Sequence, residues 1–378
     1  RGATMTAESD ALWMPRALDL AAQAIGVSEP NSRVGCVIVG ANGQLLGSGS
    51  TQHKGGPHAE IVALRDAQAR GHATQGATAF VTLEPCSHHG RTGPCCDALV
   101  AAGIGKLVAS IGDPNPLVSG RGFERLHAAG VEVKVGPGAQ QARTLNIGFF
   151  SRMVRQTPWV RMKVAASLDG RTALDNGASQ WITAEAARTD GHAWRARASA
   201  VLTGIGTVLE DNPQLDVRLV ECKRQPWLVI VDSRLETPPD ARLFLPGRQV
   251  LIYAAVRDAA KEAALAARGA TIIHMPGPAI AGRTKVDLAA MLADLAAREC
   301  NEVHVEAGSK LNGSLLREGL VDEMLVYLAP KLIGQGRGMA DVGPLTSLAD
   351  SMALEFLSVE PVGADLRILA RGIGRDQF

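Results

Sequence analysis

The strongest constraint on this chain is a motif split across three segments. Pro57-His58-Ala59-Glu60 is followed by Glu84-Pro85-Cys86, and Pro94-Cys95 comes nine residues after Cys86. One imidazole and two thiolates are three protein ligands for zinc, and three ligands leave the fourth position to water. An ion held this way draws the pKa of its water towards neutrality, so a nucleophile exists at physiological pH. Glu60 has a separate task. Residues two apart on a helix point about 200° from each other, which keeps Glu60 off the ion. It remains within reach of the water as a proton acceptor and donor.

A His-x-Glu followed by Pro-Cys and a second Cys is the ligand pattern of the zinc nucleobase deaminases. The usual second half is Pro-Cys-x-x-Cys; here eight residues separate Cys86 from Cys95, and Cys96 competes for the ligand place. Pro94 favours Cys95, because it suits the first turn of a helix over Cys96–Ala102 and leaves Cys95 at the helix mouth. The positive helix end there favours a thiolate. The bland alternative is a closed zinc staple or packed cysteines, for which Glu60 is surplus.

A length of 378 residues accommodates two ordinary domains. Residues 1–150 hold 12 basic and 11 acidic side chains, which leaves 27 of each for the remainder. Neither half is basic, and aromatics are only 4%, so a nucleic-acid substrate is not expected. Of six cysteines, three fit the metal site and the others are scattered singly, which reads as a reducing compartment. No apolar run reaches the length of a membrane span and no secretory signal opens the chain. A cytoplasmic enzyme without membrane contact is expected.

In order, residues 10–25 carry apolar residues at helical spacing, with Pro15 suiting a first turn. Val34–Val39 reads as a buried strand, and Asn42-Gly43 as a two-residue hairpin turn into a returning strand over Gln44–Ser48. A helix opened by His58, a strand ending at Leu83 and the helix after Cys95 follow. Then come strand Lys106–Ile111, helix Gly120–Ala129 and strand Val131–Val135. That order predicts a mixed sheet covered by helices, with the zinc ligands at strand-to-helix turns. Residues 139–155 read as one connecting helix, and the boundary falls so that 1–155 and 156–378 are the two domains.

The second half restarts with a strand over Trp159–Ala166. A helix over Ala184–Arg197, with Thr183 as N-cap, leads to strand Ala200–Thr203. Strands at Trp227–Asp232, Gln249–Tyr253 and Glu302–Gly308 alternate with helices at 257–267, 287–298 and from Ser309. Such alternation predicts a largely parallel, doubly wound sheet. No G-x-G-x-x-G follows a strand. Gly204-x-Gly206 and Gly308-x-x-x-x-Gly313 are strand-to-helix turns where backbone amides could approach phosphates, or plain tight turns.

The run Thr82-Leu83-Glu84-Pro85-Cys86-Ser87-His88-His89-Gly90-Arg91-Thr92-Gly93-Pro94-Cys95-Cys96-Asp97-Ala98-Leu99 closely resembles the fused pyrimidine deaminase/reductases of riboflavin biosynthesis, and the resemblance extends through both halves. It implies an α/β chain with a cytidine-deaminase-like zinc domain and a dihydrofolate-reductase-like doubly wound domain. It also implies Zn2+ and NADPH as cofactors. The first reaction is hydrolytic deamination of diaminohydroxyphosphoribosylaminopyrimidine, and the second is reduction of the product's ribosyl group to ribityl.

On matching positions the resemblance implies cofactor contacts at Ala165, Trp181, Thr207, Asp211 and Ser233. Gly308, Ser309, Lys310, Leu311, Asn312, Gly313 and Ser314 complete that set. It implies substrate contacts at Ser179, Arg195, Leu215, Arg218 and Glu306, and in the first half at Asn31. The arginines suit a ribose phosphate, which a planar cationic fork binds well. Lys163, beside the expected nicotinamide contact, is a further substrate residue. His53, Lys54, His88, His89 and Arg91 would line the mouth of the first site. Asp169 reads as a turn cap. The partner is a small phosphoribosyl-pyrimidine, in a protein expected to be a homo-oligomer. The rivals are a cytidine- or tRNA-type deaminase with an accessory domain, and a zinc-stapled binding protein.

Overall fold

The structure, a computed structural model, describes residues 2–90 and 93–378, with side chains from residue 8 onward. It divides into two compact units, residues 1–155 and 156–378.

In the first unit, α1 (Gly2–Ala22) precedes β1 (Gly35–Val39) and β2 (Leu45–Ser50). Then come α2 (Ala59–Ala69), β3 (Thr78–Val81), α3 (Cys95–Ala101), β4 (Lys106–Ala109), α4 (Arg121–Ala128) and β5 (Glu132–Val135). The helices α5 (Ala139–Leu145) and α6 (Ile147–Arg155) end the unit. The strand order is β2-β1-β3-β4-β5. β1 runs antiparallel to both neighbours, and β3, β4 and β5 are parallel, so the sheet is mixed. Trp13, Met14 and Ala17 pack against Val37, Val39, Phe80 and Val108 to form its core.

Three local expectations change. Pro15 lies inside α1, because the helix starts well before residue 10. The hairpin loop is longer than two residues. Gly43 N–H donates to Gly40 O, Gly40 N–H donates to Gln44 O, and Gly43 has φ +78. This is a turn followed by a left-handed residue, the usual three-residue alternative. The helix expected over 139–155 breaks at Asn146. Its amide leaves the helical pattern to pair with the backbone of Arg33, accepting Arg33 N–H at 2.7 Å and donating to Arg33 O at 2.9 Å.

In the second unit, β6 (Trp159–Ser167) and β7 (Arg171–Leu174) precede α7 (Glu185–Arg197). β8 (Ala200–Gly204), α8 (Ile205–Asp211), β9 (Trp227–Val231), β10 (Val250–Ala254), α9 (Ala259–Ala266) and β11 (Ala270–His274) follow. After α10 (Leu288–Ala297), β12 (Glu302–Val305) and α11 (Ser309–Arg317), the chain ends in strands. These are β13 (Glu323–Ala329), β14 (Gly336–Gly338), β15 (Leu354–Val362) and β16 (Asp365–Gly372). The main sheet runs β11-β10-β9-β8-β12-β6-β13-β16-β15. It is parallel from β11 to β13, and the β16 pairings are antiparallel. β7 and β14 form a separate ribbon.

α7 starts one residue later than expected. Ala184 is its N-cap, and the carboxylate of distant Asp365 accepts Ala184 N–H at 2.7 Å in place of a Thr183 cap. β12 inserts between β8 and β6, strands far earlier in the chain. Reversals of this kind open a crevice at the carboxyl ends of the strands.

Candidate active sites

The first site grows from the packing of α2. Its buried Ala59, Ala63 and Ala67 recur every four residues and form one small-residue stripe. On β2, a Cβ added at Gly47 would lie 2.3 Å from Ala63 O, so helix and strand approach as only glycine permits. That contact fixes the start of α2. His58 is the N-cap, in extended conformation (φ −70, ψ 163), and Glu60 lies in the first turn. Since His58 stands outside the helix, the 200° separation expected of it and Glu60 does not apply.

Cys86 follows β3, and Cys95 opens α3 with Pro94 as N-cap. Cys95 N–H donates to Cys86 Sγ at 3.3 Å, so a helix start feeds one of the sulfurs. His58 Nδ1 is 3.6 Å from Cys86 Sγ and 3.3 Å from Cys95 Sγ, and the three ligand atoms lie within 4.8 Å of one another. A thiolate at ~2.3 Å and an imidazole at ~2.1 Å on a tetrahedral ion stand about 3.6 Å apart. The donor set therefore fits zinc. Cys96 is turned away: its Sγ faces Pro85 O at 3.4 Å and Gly122 O at 3.5 Å.

The charges around this triangle are strongly perturbed. Contact with the Cys95 thiol is the largest influence on Cys86 and takes its pKa down to about 4; the same contact raises Cys95. The Cys86 contact also raises His58. Glu60 is 4% exposed, and burial lifts its carboxyl to about 7 while His58 and Cys95 pull the other way. A carboxyl at that value exchanges protons readily near neutral pH.

Glu84 had no role in the sequence reading, and its burial explains it. Its two oxygens accept the amides of Asp113 (2.7 Å), Gly120 (3.1 Å) and Gly122 (2.9 Å). One carboxylate thus ties the loop after β4 and the start of α4 to the strand end that carries Cys86. Asn31 sits in a short loop, where its N–H donates to Ser28 O and its carbonyl accepts Ser28 Oγ. His88 and His89 are on the partly exposed segment after Cys86, and Arg91 lies outside the described residues.

The second site gathers at the carboxyl ends of β6, β8 and β12. Arg195, on α7, grips Glu306 with two bonds, Nε to Oε1 at 2.8 Å and Nη2 to Oε2 at 2.6 Å. His304 Nε2 is 2.9 Å from Glu306 Oε1. Burial alone would raise Glu306, but Arg195, Lys163 and His304 outweigh it and hold the carboxylate well below its usual range. Burial lowers Lys163, and Glu306 partly restores it. Lys163 Nζ also stands 5.9 Å from the centre of the Tyr327 ring. His304 escaped the sequence reading, although its spacing of two from Glu306 on one strand was the signal for a shared face.

The remaining expected contacts surround this cluster unevenly. Trp181 is 59% exposed beneath the Arg188 guanidinium, 4.3 Å from its ring centre. Ser179 is on the same turn-rich piece. Ala165 is on β6, Thr207 and Asp211 are on α8, and Ser233 follows β9 with its Oγ accepting Val286 N–H at 3.1 Å. Asp169 does more than the turn cap expected of it: the local turn is closed by Ser167, and the Asp169 carboxylate accepts the distant Gly334 N–H at 2.7 Å and Ile333 N–H at 3.1 Å.

At the start of α11, Gly308 is open: an added Cβ would meet only Thr207 Oγ1, at 4.0 Å. Gly206 has nothing within 4 Å of its own added Cβ. Gly313 is different. A Cβ there would lie 1.8 Å from Asp341 O, so this glycine serves close packing and the phosphate reading of it is corrected. Asn312 is buried, with Nδ2 donating to Met339 O at 2.9 Å, and Leu311 packs against the core. Leu215 is buried with φ +52, and the exposed Arg218 pairs with Asp216 at 2.6 Å.

Residues 158–368 match the family described as the RibD C-terminal domain, and residues 7–111 match the cytidine and deoxycytidylate deaminase zinc-binding region. The riboflavin biosynthesis protein RibD of Escherichia coli is 43% identical over 371 residues, covering 94% of this chain and 98% of that one. Its counterpart in Aquifex aeolicus is 38% identical, covering 96% and 99%. The solved structure of Acinetobacter baumannii RibD superposes with a TM-score of 0.86 at 40% identity, covering 97% of this chain and 99% of its own. A Thermotoga maritima diaminohydroxyphosphoribosylaminopyrimidine deaminase/5-amino-6-(5-phosphoribosylamino)uracil reductase gives 0.84 at 32%, with the same coverage. The chain belongs to the RibD family of riboflavin biosynthesis proteins, bifunctional enzymes with a cytidine-deaminase-like domain followed by a reductase domain.

Proposed function

We propose that residues 1–155 deaminate diaminohydroxyphosphoribosylaminopyrimidine, and that residues 156–378 reduce 5-amino-6-(5-phosphoribosylamino)uracil with NADPH. The observation that carries the reading is the His58–Cys86–Cys95 donor triangle with a buried, near-neutral carboxyl beside it. A closed staple has no use for Glu60.

His58, Cys86 and Cys95 hold zinc, which polarises the attacking water when bound. Glu60 would take one proton from the attacking water and pass it to the ring nitrogen, then carry the second, from the resulting hydroxyl, to the amine, which departs as ammonia. Asn31 meets the pyrimidine, and the His53, Lys54, His88 and His89 side chains favour the phosphate end. In the reductase, NADPH supplies the reducing equivalent. Backbone that is open at Gly206 and Gly308 leaves room for its phosphates, with Ala165, Trp181, Thr207, Asp211, Ser233, residues 308–312 and Ser314 around it. Lys163, Ser179, Arg195, Leu215, Arg218 and Glu306 hold the ribosylamino-pyrimidine. The test is ammonia release from the diamino precursor against cytidine, alongside NADPH oxidation with the deaminated pyrimidine. Deamination of cytidine in preference to the precursor overturns the reading.

The same reading makes the protein a cytoplasmic homo-oligomer that binds no nucleic acid. Balanced charge in both halves supports the last point. Among the described residues no helix is long and apolar enough to cross a membrane. The edge strand β15 exposes Leu354, Phe356 and Val359, at 47%, 74% and 51%, a combination that favours pairing with a second copy. Sedimentation of a Phe356→Lys variant as the same species as the parent would remove that edge from the assembly.

A further inference from the structure

The segment 212–219, which carries Leu215 and Arg218, has no strand or helix of its own. Side chains from elsewhere satisfy its backbone instead. Arg248 Nη2 donates to Gln214 O at 2.6 Å, and Arg195 Nη1 donates to Asp216 O at 2.8 Å. Gln225 pairs with Val217 as a strand would, accepting its N–H at 2.9 Å and donating to its carbonyl at 2.8 Å. At the far end His192 Nδ1 accepts Arg218 N–H at 3.1 Å, with Leu219 N–H converging at 3.4 Å. Such a loop is shaped by its clamps, and its conformation is only as fixed as they are.

His192 and Arg195 lie three residues apart on α7, so one helix face reaches both the Glu306 cluster and this loop. Two converging amides require a lone pair on Nδ1, which places the imidazole proton on Nε2. The 3.3 Å approach of Nε2 to Arg195 Nη1 is then packing between two donors. Burial first, and the neighbouring Arg195 and Arg218 next, lower His192 to about 4 against the partial opposition of Glu306 and Asp216. The acceptor is therefore present at any ordinary pH. The Arg218 side chain is 48% exposed and its ion pair is with Asp216, two residues back on the same loop. Its direction follows from the loop itself, through the backbone at Arg218 and the Asp216 side chain.

We propose that His192 is a positioning residue of the reductase: by holding the amide of Arg218 it sets where the Arg218 guanidinium meets the anionic end of the substrate. This rests on the reading of Arg218 as a substrate contact. Replacement by Asn keeps an acceptor where Nδ1 stands, Gln moves it outward to the position of Nε2, and Leu removes it. With the full chain and the deaminated pyrimidine, Leu and Gln variants raise KM about tenfold, a loss on the scale of a hydrogen bond to a charged residue's backbone. The change leaves kcat and NADPH affinity near the parent values. Asn recovers most of the parent KM. Amide hydrogen exchange at Arg218 and Leu219 accelerates in the Leu variant and stays slow in the Asn variant, a readout that needs no substrate. In an Arg218→Ala background the Leu substitution raises KM no further.

An Asn variant as impaired as Leu overturns the proposal. So does a Leu variant whose kcat and NADPH affinity fall along with KM, since that is general damage to the unit. An Arg218→Ala variant with the parent KM removes the substrate reading of Arg218 and the proposal with it. A raised KM for Arg218→Ala with no change for His192→Leu overturns this inference alone.

Discussion

Glu60→Gln separates the chemistry of the first site from its architecture. The amide keeps the side chain's shape and leaves the three metal ligands untouched, but it cannot carry a proton. A positioned acid/base contributes about 10²–10⁴-fold, so deamination should fall by that factor, or by about 3–5 kcal/mol of barrier. Burial also sets a stability effect of opposite sign. Holding a carboxylate whose pKa has risen from 4.5 to about 7 costs about 3 kcal/mol above neutral pH. Between those two values the native state keeps a proton that the unfolded chain releases, so stability falls as pH rises through the window. After zinc is chelated, the Gln variant should therefore be more resistant to urea than the parent at pH 8, and the two should converge near pH 4.5. The assays are ammonia release, metal content, urea unfolding, and NADPH oxidation on deaminated substrate, which should stay at the parent rate. Deamination near the parent rate, or a chelated variant less stable than the chelated parent at pH 8, would refute the reasoning.

Cys86→Ser should lose zinc and deamination together, whereas Cys96→Ser should keep both, because Cys96 faces Pro85 O and Gly122 O; metal analysis showing the reverse would reassign the ligands. Gly308→Val should weaken NADPH binding at least about tenfold with the fold intact, since the new side chain enters space beside Thr207 that only a ligand would use. By contrast, Gly313→Ala should lower Tm, its Cβ being driven to 1.8 Å from Asp341 O, and a Tm unchanged from the parent would deny that packing role. Because His192 is held at about 4, below the usual 6.5, the unfolded chain takes up a proton that the native state refuses between those values. Stability should fall as pH drops through that window, and the fall should be shallower in His192→Asn by urea titration.

The clustering of His58, Cys86 and Cys95 was legible because metal chemistry restricts both residue type and spacing. The strand-to-helix turns were legible because a buried parallel sheet writes continuous apolar runs such as Trp227–Val231. What escaped is set by tertiary contact. Nothing local shows that Asn146 ends a helix, since its partner is Arg33, and nothing local shows that Asp365 caps α7 in place of Thr183. The strands after residue 320 went unread, and β15 in particular lies almost wholly exposed, without the burial pattern that marks a strand. Gly308 and Gly313 look alike in sequence, and only the position of Asp341 tells the open backbone from the crowded one.

The bond between Asn146 and Arg33 also orders events on the ribosome. Ser28–Arg33, the stretch carrying Asn31, leaves the exit tunnel 113 residues ahead of the amide that pins it. At about 5–20 residues per second that interval is roughly 6–23 s, and His58, Cys86 and Cys95 all emerge within it. A nascent chain thus exposes the His58–Cys86–Cys95 cluster before the Ser28–Arg33 stretch is pinned. A gene fragment ending before residue 146 would encode the donor cluster without the amide that anchors Ser28–Arg33.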